Sequence, residues 1–472
     1  MPRVTRRRKA NENLAADATR NMMATAPLIT HSSSDAVVAY RAAVPVTAGH
    51  FLADVARLAN AMPAGNHVLN ICTDRYRFTV GLAASLLAKK VNLLPSAHTP
   101  QIIRQLTQFA PDVFCLTDAA DCDIELPHFF YRDACSADAV PWQVPQIDAE
   151  QLVAYVFTSG STGVPVPHRK TWGRLVSCVR EGARQLGLFD GRSHVMLSTV
   201  PAQHMYGLES TVLTCLQSGN ALCAERPFYP ADICASIAAL PRPRVLVSTP
   251  IHLRTLLGAD VDLPVLDLIV SATAPLSPQL ARDAERRCAA RLLEIYGSTE
   301  TGQIAIRRTV KTQEWSLWPA VSLIIEDGRA WAQGGHVEQQ TPMGDVLELT
   351  GEKRFILHGR TEDLVNIAGK RGSLGYLNHH LNAIPGVLDG TFFVREDEHS
   401  AATGVTRLAA FVVAPGLDAA LLLDQLRQRI DPAFLPRPLL FVERLPRNAA
   451  GKLPREALQS LAASDPECAV QS

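Results

Sequence analysis

The chain has 472 residues, of which 47% are hydrophobic and 19% are charged. A chain of this length exceeds one ordinary core, so two or more domains are expected. Its 46 basic and 46 acidic side chains give a formal net charge of zero. This balance leaves no electrostatic footprint for nucleic acid, so no nucleic-acid partner is expected.

The ten cysteines are scattered, with no Cys-x-x-Cys pair and no Cys/His cluster at zinc-ligand spacing. A disulfide framework is not expected in so long a chain, and a reduced, cytoplasmic setting is therefore predicted. No segment approaches the roughly 18 uninterrupted apolar residues of a membrane-spanning helix, so no membrane span is predicted.

The first residues carry a basic cluster, Arg6–Lys9, preceded by Arg3. A signal peptide would continue with an apolar stretch, but Asn11-Glu12-Asn13 follows instead. Residues 1–34 are therefore predicted to form a disordered tail.

Strands and helices are predicted to alternate through the middle of the chain. The apolar run Leu152–Phe157 is the first of these strands, and Thr171–Leu186 is the helix after it. The other predicted strands are His194–Val200, Arg244–Ser248, Leu266–Ser271 and Leu292–Tyr296, and the other predicted helices are Pro230–Leu240 and Pro278–Ala289. This alternation indicates an α/β fold with parallel-rich sheets and crossover helices.

The pattern changes after Thr301. Short alternating runs at Val321–Ile325 and Asp345–Leu349 favour antiparallel strands. A domain boundary is predicted near Gly359-Arg360, which leaves roughly 110 residues for a small α+β domain. The chain is thus divided into a tail (1–34), a large N-terminal domain (35–359) and a small C-terminal domain (360–472).

The strand Leu152–Phe157 leads into a loop of hydroxyls and glycines. Its residues are Thr158, Ser159, Gly160, Ser161, Thr162 and Gly163. Glycines let backbone N–H groups turn toward a guest, and hydroxyls add uncharged donors, so the loop suits a polyphosphate. It is not a Walker P-loop, because Gly-x-x-x-x-Gly-Lys-[Ser/Thr] is absent. The plainer alternative is a polar turn between a strand and a helix.

Three later segments follow this loop in order: Glu294–Glu300, His358–Asp363 and Leu445–Lys452. With these four segments the chain resembles the adenylate-forming superfamily over about residues 36–458. The resemblance implies a large domain with an ATP site and an acyl pocket, plus a small mobile C-terminal domain. It also implies that a small carboxylic acid is activated by ATP and Mg²⁺ to acyl-AMP. The acyl group then passes to coenzyme A or to the phosphopantetheine of an acyl-carrier protein.

The resemblance also assigns roles to individual residues. Glu300 would hold Mg²⁺, Thr299 would contact the α-phosphate, and Lys452 would be the mobile charge of adenylation. Asp345 would accept the ribose hydroxyls, and Arg360 would touch the ribose or a phosphate. Further nucleotide contacts are implied for the Thr158–Gly163 loop and for Lys170, Ala274, Pro275, Tyr296, Gly297 and Ser298. The simpler alternatives are an exposed loop acid for Glu300, a turn for Asp345, a core aromatic for Tyr296 and a surface lysine for Lys452.

The acyl pocket and the second half-reaction are assigned in the same way. The pocket would be lined by His204, Tyr206, Gly207, Ser271, Ala272 and Tyr296. It suits a flat ring or a short aliphatic chain, and His204, also given a catalytic role, has the alternative of a core histidine. Glu362 would be the hinge about which the C-terminal domain rotates. Gly369, Lys370 and Arg371 would line a pantetheine tunnel.

One position departs from the family pattern. The family usually places a lysine where this chain has Val166, and Lys170 follows four residues later. Either Lys170 substitutes, or backbone and Mg²⁺ alone hold the pyrophosphate. The local form Gly-x-Pro-x-Pro-His-x-Lys-x-Trp-Gly resembles the ligases of aryl-polyene and xanthomonadin pigment pathways. That narrower resemblance implies a hydroxybenzoate-type aryl acid and a carrier protein.

Three alternatives stay open. The acid could be fatty or otherwise aliphatic, which would make the protein an aliphatic acyl-CoA synthetase. The acyl-AMP could have another fate, such as luciferase-like oxidation. The missing lysine at Val166 also leaves a non-catalytic acyl- or nucleotide-binding protein on the same fold.

Overall fold

The computed structural model describes residues 24–133, 142–158, 165–326, 329–360, 364–367, 370–394, 408–448 and 453–464. Within these ranges, no helix combines the length and the apolarity that crossing a membrane requires.

The first half of the described chain forms two sheets with helices around them. Its elements, in chain order, are β1 (Thr25–Pro27), β2 (Val37–Arg41), β3 (Val44–Thr47), α1 (Ala48–Ala61), β4 (His67–Asn70), α2 (Arg75–Leu87), β5 (Val91–Leu94), α3 (Pro100–Phe109), β6 (Phe114–Thr117), β7 (His128–Phe130), β8 (Gln146–Asp148), β9 (Leu152–Thr158), β10 (Val166–Thr171), α4 (Trp172–Leu186), β11 (Val195–Ser198), α5 (Met205–Gly207), a π-helical turn (Leu208–Leu213), α6 (Thr214–Ser218) and β12 (Ala221–Cys223).

The second half completes the larger sheet and adds a small C-terminal unit. Its elements are α7 (Pro230–Ala239), β13 (Arg244–Ser248), α8 (Pro250–Gly258), β14 (Leu268–Ser271), α9 (Pro278–Cys288), β15 (Arg291–Ser298), β16 (Gly302–Arg307), β17 (Trp315–Leu317), β18 (Ser322–Glu326), β19 (Arg329–Gly334), β20 (Val337–Pro342), β21 (Asp345–Gly351), β22 (Arg354–Arg360), β23 (Leu364–Ile367), β24 (Lys370–Ser373), α10 (Leu374–Asn382), β25 (Asp389–Val394), β26 (Leu408–Val413), α11 (Ala419–Arg427), a 3-10 turn (Pro432–Phe434), β27 (Leu439–Phe441) and α12 (Arg455–Ser464).

The larger sheet confirms the predicted α/β architecture. Its strand order is β21-β22-β17-β16-β15-β14-β13-β11-β12-β2-β3, and the run from β15 to β2 is parallel. Helices α7, α8 and α9 are the crossovers between consecutive parallel strands. Each of these helices begins with proline at its first turn, and the Ser277 side chain caps α9 by accepting from the Leu280 N–H. The predicted strands and helices of this region are therefore present, with ends shifted by a few residues.

The smaller six-stranded sheet has the order β10-β9-β5-β4-β6-β7. Its strands are parallel except for β10, which pairs antiparallel with β9. The two sheets are joined through Arg75, a fully buried arginine on α2. Its guanidinium donates to the carbonyls of Ser198, Val200, Cys223 and Glu225, at the ends of β11 and β12, over 2.7–3.0 Å.

The start of the chain differs from the sequence-based prediction. Disorder is predicted up to Ser34, but β1 pairs antiparallel with β8, and the Trp172 indole donates to the Ala26 carbonyl at 3.1 Å. Leu28 and Ile29 are buried in the main core. The physical reason is that the partner of β1 lies more than 100 residues later in the sequence, where local composition gives no sign of it. Residues 1–23 lie outside the described structure.

The residues after β22 have a core of their own. Strands β25 and β26 are antiparallel, β27 joins β26 in parallel, and α10 and α11 bury Leu377, Leu381, Leu422 and Leu426 against them. This is the small α+β unit predicted for the C-terminal part. The predicted boundary at Gly359-Arg360 falls at the end of β22.

Candidate active site

The two sheets meet at the predicted nucleotide site. Strand β9 ends at Thr158, where the predicted phosphate loop begins, and β15 ends at Ser298, just before Thr299 and Glu300. Two side chains of β10, His168 and Lys170, contact the residues at these two ends. Because the carboxyl ends of parallel strands form a crevice at one edge of a sheet, this is where an α/β protein is expected to bind a ligand.

Strand β10 was not predicted. The sequence suggests a loop leading directly into α4, whereas Val166–Thr171 pair with β9, with Val166 opposite Thr158. Side chains alternate along a strand, so Val166, His168 and Lys170 share one face. Val166, which stands where the family usually has a lysine, therefore lies on the same strand face as Lys170, four residues away.

His168 connects the phosphate loop to the predicted metal carboxylate. Its Nε2 is hydrogen-bonded to Thr158 Oγ1 at 2.8 Å and lies 3.5 Å from Glu300 Oε1. Burial lowers the pKa of His168, and this outweighs the opposing effect of Glu300. Sequence reasoning did not select His168 as a site residue, although its period-2 spacing from Lys170 is the signal that could have identified it.

Glu300 presents a carboxylate suited to a hard cation. Burial alone would raise the pKa of Glu300. That pKa is nevertheless lowered, because Ser298 and the backbone N–H of Glu300 donate hydrogen bonds to the carboxylate and because His168 and Lys170 lie nearby. The carboxylate is therefore ionised at neutral pH. Ionised carboxylate oxygens are the ligands that Mg²⁺ prefers, so the residue fits the predicted ion.

Lys170 holds the loop that carries Glu300. Its Nζ donates to the Glu300 carbonyl at 3.2 Å. The pKa of Lys170 is lowered because burial outweighs the attraction of Glu209, Cys178 and Glu300. The structure thus places Lys170, the first lysine after Val166, against the loop that carries the predicted metal ligand Glu300.

Glu209 is a second residue that sequence reasoning missed. It lies on the π-helical turn that follows the predicted acyl segment, is only 2% exposed, and accepts from the Cys178 thiol at 3.3 Å. Burial raises the pKa of Glu209 to about 7, even though Lys170 opposes the shift. Single π-helical turns often occur at functional sites.

The loop after β15 depends on a close backbone contact. A Cβ at Gly297 would lie 2.2 Å from the Gly302 carbonyl oxygen, so a side chain cannot be accommodated there. The hydroxyls of Ser298 and Thr301 exchange hydrogen bonds with each other's backbone N–H, each at 3.2 Å. These contacts fix the turn in which Thr299 and Glu300 stand.

Tyr296 and Asp345 are brought together. The Tyr296 hydroxyl donates to Asp345 Oδ2 at 2.6 Å, and its ring packs in the core against Trp315 and Phe355. Asp345 opens β21 opposite Arg360 on β22, so it lies in a strand rather than in the turn that was the alternative. Three predicted nucleotide contacts, Tyr296, Asp345 and Arg360, therefore share one corner of the sheet.

The predicted acyl-pocket residues come from three elements: His204, Tyr206 and Gly207 from the start and body of α5, Ser271 and Ala272 from the end of β14, and Tyr296 from β15. The Tyr206 hydroxyl is within hydrogen-bond distance of the Ser248 and Val270 carbonyls, at 3.1 and 3.0 Å. Ser271 is fully buried, and among the described residues its Oγ has no hydrogen-bond partner. Position 207 requires glycine, because a Cβ there would lie only 2.1 Å from the Pro201 carbonyl oxygen.

The segment after β14 contains a strained residue. Thr273 has a φ of +82°, which is rare for a β-branched side chain. It stands between the acyl-pocket pair Ser271 and Ala272 and the predicted nucleotide contacts Ala274 and Pro275. Backbone strain of this kind concentrates at ligand sites. His204 precedes α5, half-buried.

Several predicted site residues lie outside the described structure. They are Ser159, Gly160, Ser161, Thr162, Gly163, Glu362, Gly369 and Lys452. Lys370 and Arg371 lie on β24, where they pair with Ile367 and Asn366. Their proposed roles rest on the sequence.

The chain was compared with known proteins. The family described as AMP-binding enzyme matches residues 31–327. The chain is 30% identical over 308 residues to the 4-coumarate–CoA ligase of Rhodobacter capsulatus, covering 64% of this chain and 75% of that protein. It is 26% identical over 351 residues to the 4-chlorobenzoate–CoA ligase of an Arthrobacter species, covering 65% of each chain.

Solved structures agree in fold. The ATP-bound crystal structure of MatB from Rhodopseudomonas palustris superposes with a TM-score of 0.78 at 19% identity, covering 96% of this chain and 99% of that one. The motifs, the two-sheet architecture and the family match lead to one conclusion. The chain belongs to the AMP-binding enzyme family of adenylate-forming acid–thiol ligases.

Proposed function

We propose that this protein activates a hydroxybenzoate-type aryl acid as its acyl-AMP and transfers the acyl group to a phosphopantetheine thiol, on an acyl-carrier protein or on coenzyme A. The observation that carries the proposal is the meeting of the β9–β10 hairpin with the loop after β15. That contact gathers Thr158, His168, Lys170 and Glu300 at one point, beside the predicted phosphate loop.

The first half-reaction joins the acid to the nucleotide. A carboxylate oxygen attacks the α-phosphorus of ATP, the bond to the β-phosphate oxygen breaks, and pyrophosphate leaves. The hydroxyls and N–H groups of Thr158, Ser159, Gly160, Ser161, Thr162 and Gly163 would hold the β- and γ-phosphates, and Thr299 would contact the α-phosphate. Lys452 would place its positive charge where negative charge develops.

Mg²⁺ would be held by Glu300. The ion, when bound, neutralises charge on the phosphate oxygens. Two side chains of this protein position the Glu300 carboxylate for the ion. Lys170 donates to the Glu300 carbonyl and so holds the loop, and His168 lies between the carboxylate and Thr158. Together these side chains offer a local substitute for the lysine absent at Val166.

The nucleoside would be held at the Tyr296–Asp345 corner. The Tyr296 hydroxyl occupies one acceptor position of the Asp345 carboxylate. A carboxylate has about four acceptor positions, so those that remain are sufficient for two ribose hydroxyls. Arg360 lies opposite Asp345 in the strand register and would contact the ribose or a phosphate. Gly297, Ser298, Ala274 and Pro275 would complete the nucleotide pocket.

The proposed aryl preference is supported by the ring of Tyr206. Because its hydroxyl is engaged by two sheet carbonyls, the ring rather than the hydroxyl is available to the acyl group. A fixed aromatic face suits a planar ring. The 4-coumarate and 4-chlorobenzoate ligases described above act on ring acids by name. His204, Gly207, Ser271, Ala272 and Tyr296 would complete the pocket.

The second half-reaction would follow rotation of the C-terminal unit about Glu362. The pantetheine thiolate attacks the acyl carbonyl carbon, and AMP leaves. Gly369, Lys370 and Arg371 would line the path of the pantetheine arm. Rotation of this kind is hinge gating between two arrangements of one fold.

ATP–pyrophosphate exchange across a panel of acids tests the activation step. Hydroxybenzoates should give the fastest exchange, and medium-chain fatty acids should be slow. Faster exchange with fatty acids would replace the aryl proposal with an aliphatic acyl-CoA synthetase. Absence of exchange with every acid would favour a non-catalytic binding protein.

Two variants and a product assay sharpen this test. Tyr206→Phe keeps the ring and should keep the aryl preference, whereas Tyr206→Leu should lose it. Mass spectrometry of products with coenzyme A and with a phosphopantetheinylated carrier protein identifies the acceptor. An acyl-AMP consumed without thioester would indicate another fate, such as oxidation.

A further inference from the structure

Two cysteines and a histidine converge at the edge of the six-stranded sheet opposite the β9–β10 hairpin. Cys115 on β6 and His128 on β7 are direct partners in the parallel register, and Cys122 lies in the loop between these strands. The two Sγ atoms are 4.0 Å apart. One ligand atom from each of the three side chains lies within 4.8 Å of the other two. The catalytic machinery described above uses none of them.

The spacing of these three residues in the sequence does not indicate a metal site. The spacing is Cys-x₆-Cys-x₅-His, which is unlike the short pairs of common zinc motifs, and no zinc-type spacing was predicted. The sheet supplies the missing proximity, because side chains of paired residues on adjacent strands point to the same face. The sequence spacing of these three residues gave no sign that they meet in the fold.

A backbone hydrogen bond holds the ring of His128. His128 Nε2 lies 2.8 Å from the Ile124 carbonyl oxygen, so this nitrogen carries the proton and donates it. A neutral imidazole that donates from Nε2 keeps a lone pair on Nδ1. A hydrogen bond from one ring nitrogen to a backbone carbonyl is the arrangement that fixes a ligand imidazole in its tautomer.

The surroundings are compatible with a bound cation. Cys115 is buried beside Cys122, so a thiolate there needs a compensating positive charge, which a bound cation would provide. The loop also carries three exposed acidic side chains, Asp121, Asp123 and Glu125. Their field attracts a cation to this edge of the sheet.

We propose that Cys115, Cys122 and His128 bind one zinc-class divalent cation, with water at the fourth position. Two thiolates and an imidazole are ligands of the borderline-soft kind that Zn²⁺ prefers to Mg²⁺. On binding, each thiol that becomes a ligand releases one proton to solvent. The ion would fasten the loop 118–127 to β6 and β7, far from the nucleotide site.

The test is a titration of the full chain with Co²⁺ and Zn²⁺ in a phosphine reductant, after chelator treatment. One Co²⁺ per chain should produce the visible bands of tetrahedral cobalt and a thiolate-to-cobalt charge-transfer band, and one Zn²⁺ should displace it. Cys122→Ser and His128→Gln are the informative variants, because both side chains reach the surface and their loss leaves no large cavity. Each should weaken Co²⁺ binding by at least about 100-fold, since loss of an outer partner alone costs up to that much.

Matched controls separate this site from adventitious binding. Cys234→Ser and His50→Gln alter a thiol and an imidazole elsewhere, and both should bind Co²⁺ as the unaltered chain does. Acid activation should be the same in all four variants when Mg²⁺ is supplied and Co²⁺ and Zn²⁺ are absent. The proposal is overturned if no thiolate–cobalt band forms, if the band survives Cys122→Ser, or if peptide mapping under the same reducing conditions finds a Cys115–Cys122 disulfide.

Discussion

His168 Nε2 lies 3.5 Å from Glu300 Oε1 and 2.8 Å from Thr158 Oγ1, so one imidazole spans the end of β9 and the loop after β15. The two partners belong to different sheets. The predicted nucleotide site therefore lies where the two sheets pack together, and the position of Glu300 depends on the β9–β10 hairpin as well as on its own loop.

Replacing His168 should loosen this connection. His168→Gln is expected to raise the apparent KM for ATP about tenfold, because loss of a partly buried hydrogen-bond partner costs roughly 1–3 kcal/mol. The KM for the acid should change little. Steady-state kinetics with each substrate varied in turn gives the answer, with His50→Gln as the control at an exposed position. A rise in the acid KM alone would contradict the placement of His168 at the phosphates.

Lys170→Met keeps the length of the side chain and removes its charge. We expect a higher apparent KM for ATP, because the Glu300 carbonyl loses its donor and the predicted phosphate site loses a neighbouring positive charge. The KM for the acid should stay nearly constant. Lys311→Met, at an exposed lysine, is the matched control. An apparent KM for ATP equal to that of the unaltered enzyme would show that Lys170 has no role in ATP binding.

Glu209 should make stability depend on pH. Its pKa in the folded protein is about 7 against an ordinary 4.5, so the folded state holds a proton that the unfolded state releases between these values. Stability is fully present below about pH 4.5 and falls as pH rises toward 7, by about 3 kcal/mol at most. Glu209→Gln should lack this decline.

Urea unfolding between pH 4.5 and 8 measures the difference. The stability of Glu209→Gln relative to the unaltered chain should grow with pH up to about 7 and then level off. Glu352→Gln, at an exposed acid, should track the unaltered chain throughout. Parallel pH profiles for Glu209→Gln and the unaltered chain would show that Glu209 is ionised in the folded protein across the whole range.

Lys452→Ala should separate the two half-reactions. Adenylation is expected to fall by two to four powers of ten, or about 3–5 kcal/mol of transition-state stabilisation. Thiol capture from pre-formed acyl-AMP should be much less affected, because the proposed rotation would present another face of the C-terminal unit for that step. Single-turnover assays of each step provide the comparison. Equal losses in both would defeat the assignment.

Glu362→Pro tests the hinge. Proline fixes φ near −65°, so rotation about this residue should be blocked while the adenylating arrangement remains accessible. Acyl-AMP should form at a near-normal rate and thioester should not. Circular dichroism establishes that the variant is folded. Loss of both half-reactions in a folded variant would place the hinge elsewhere.

The sequence alone was sufficient where structure follows from local pattern. The alternation of apolar strands with amphipathic helices from residue 152 to 296 predicts the parallel sheet, because periods of 2 and 3.6 are properties of single elements. The ordered motifs predict the family in the same way. The motifs also singled out Gly297 and Gly207, and at both positions another backbone segment lies too close for any side chain.

Tertiary structure alone decided which distant residues meet. Strand β1 finds its partner at residues 146–148, β10 folds back on β9, and Tyr296 reaches Asp345 across 49 positions. Cys115 and His128 become neighbours through strand register rather than through sequence spacing. Strand pairing is chosen by burial and topology over the whole chain, so local composition does not encode it. For the same reason the contact of His168 with Glu300 and the contact of Cys178 with Glu209 become visible only in the folded chain.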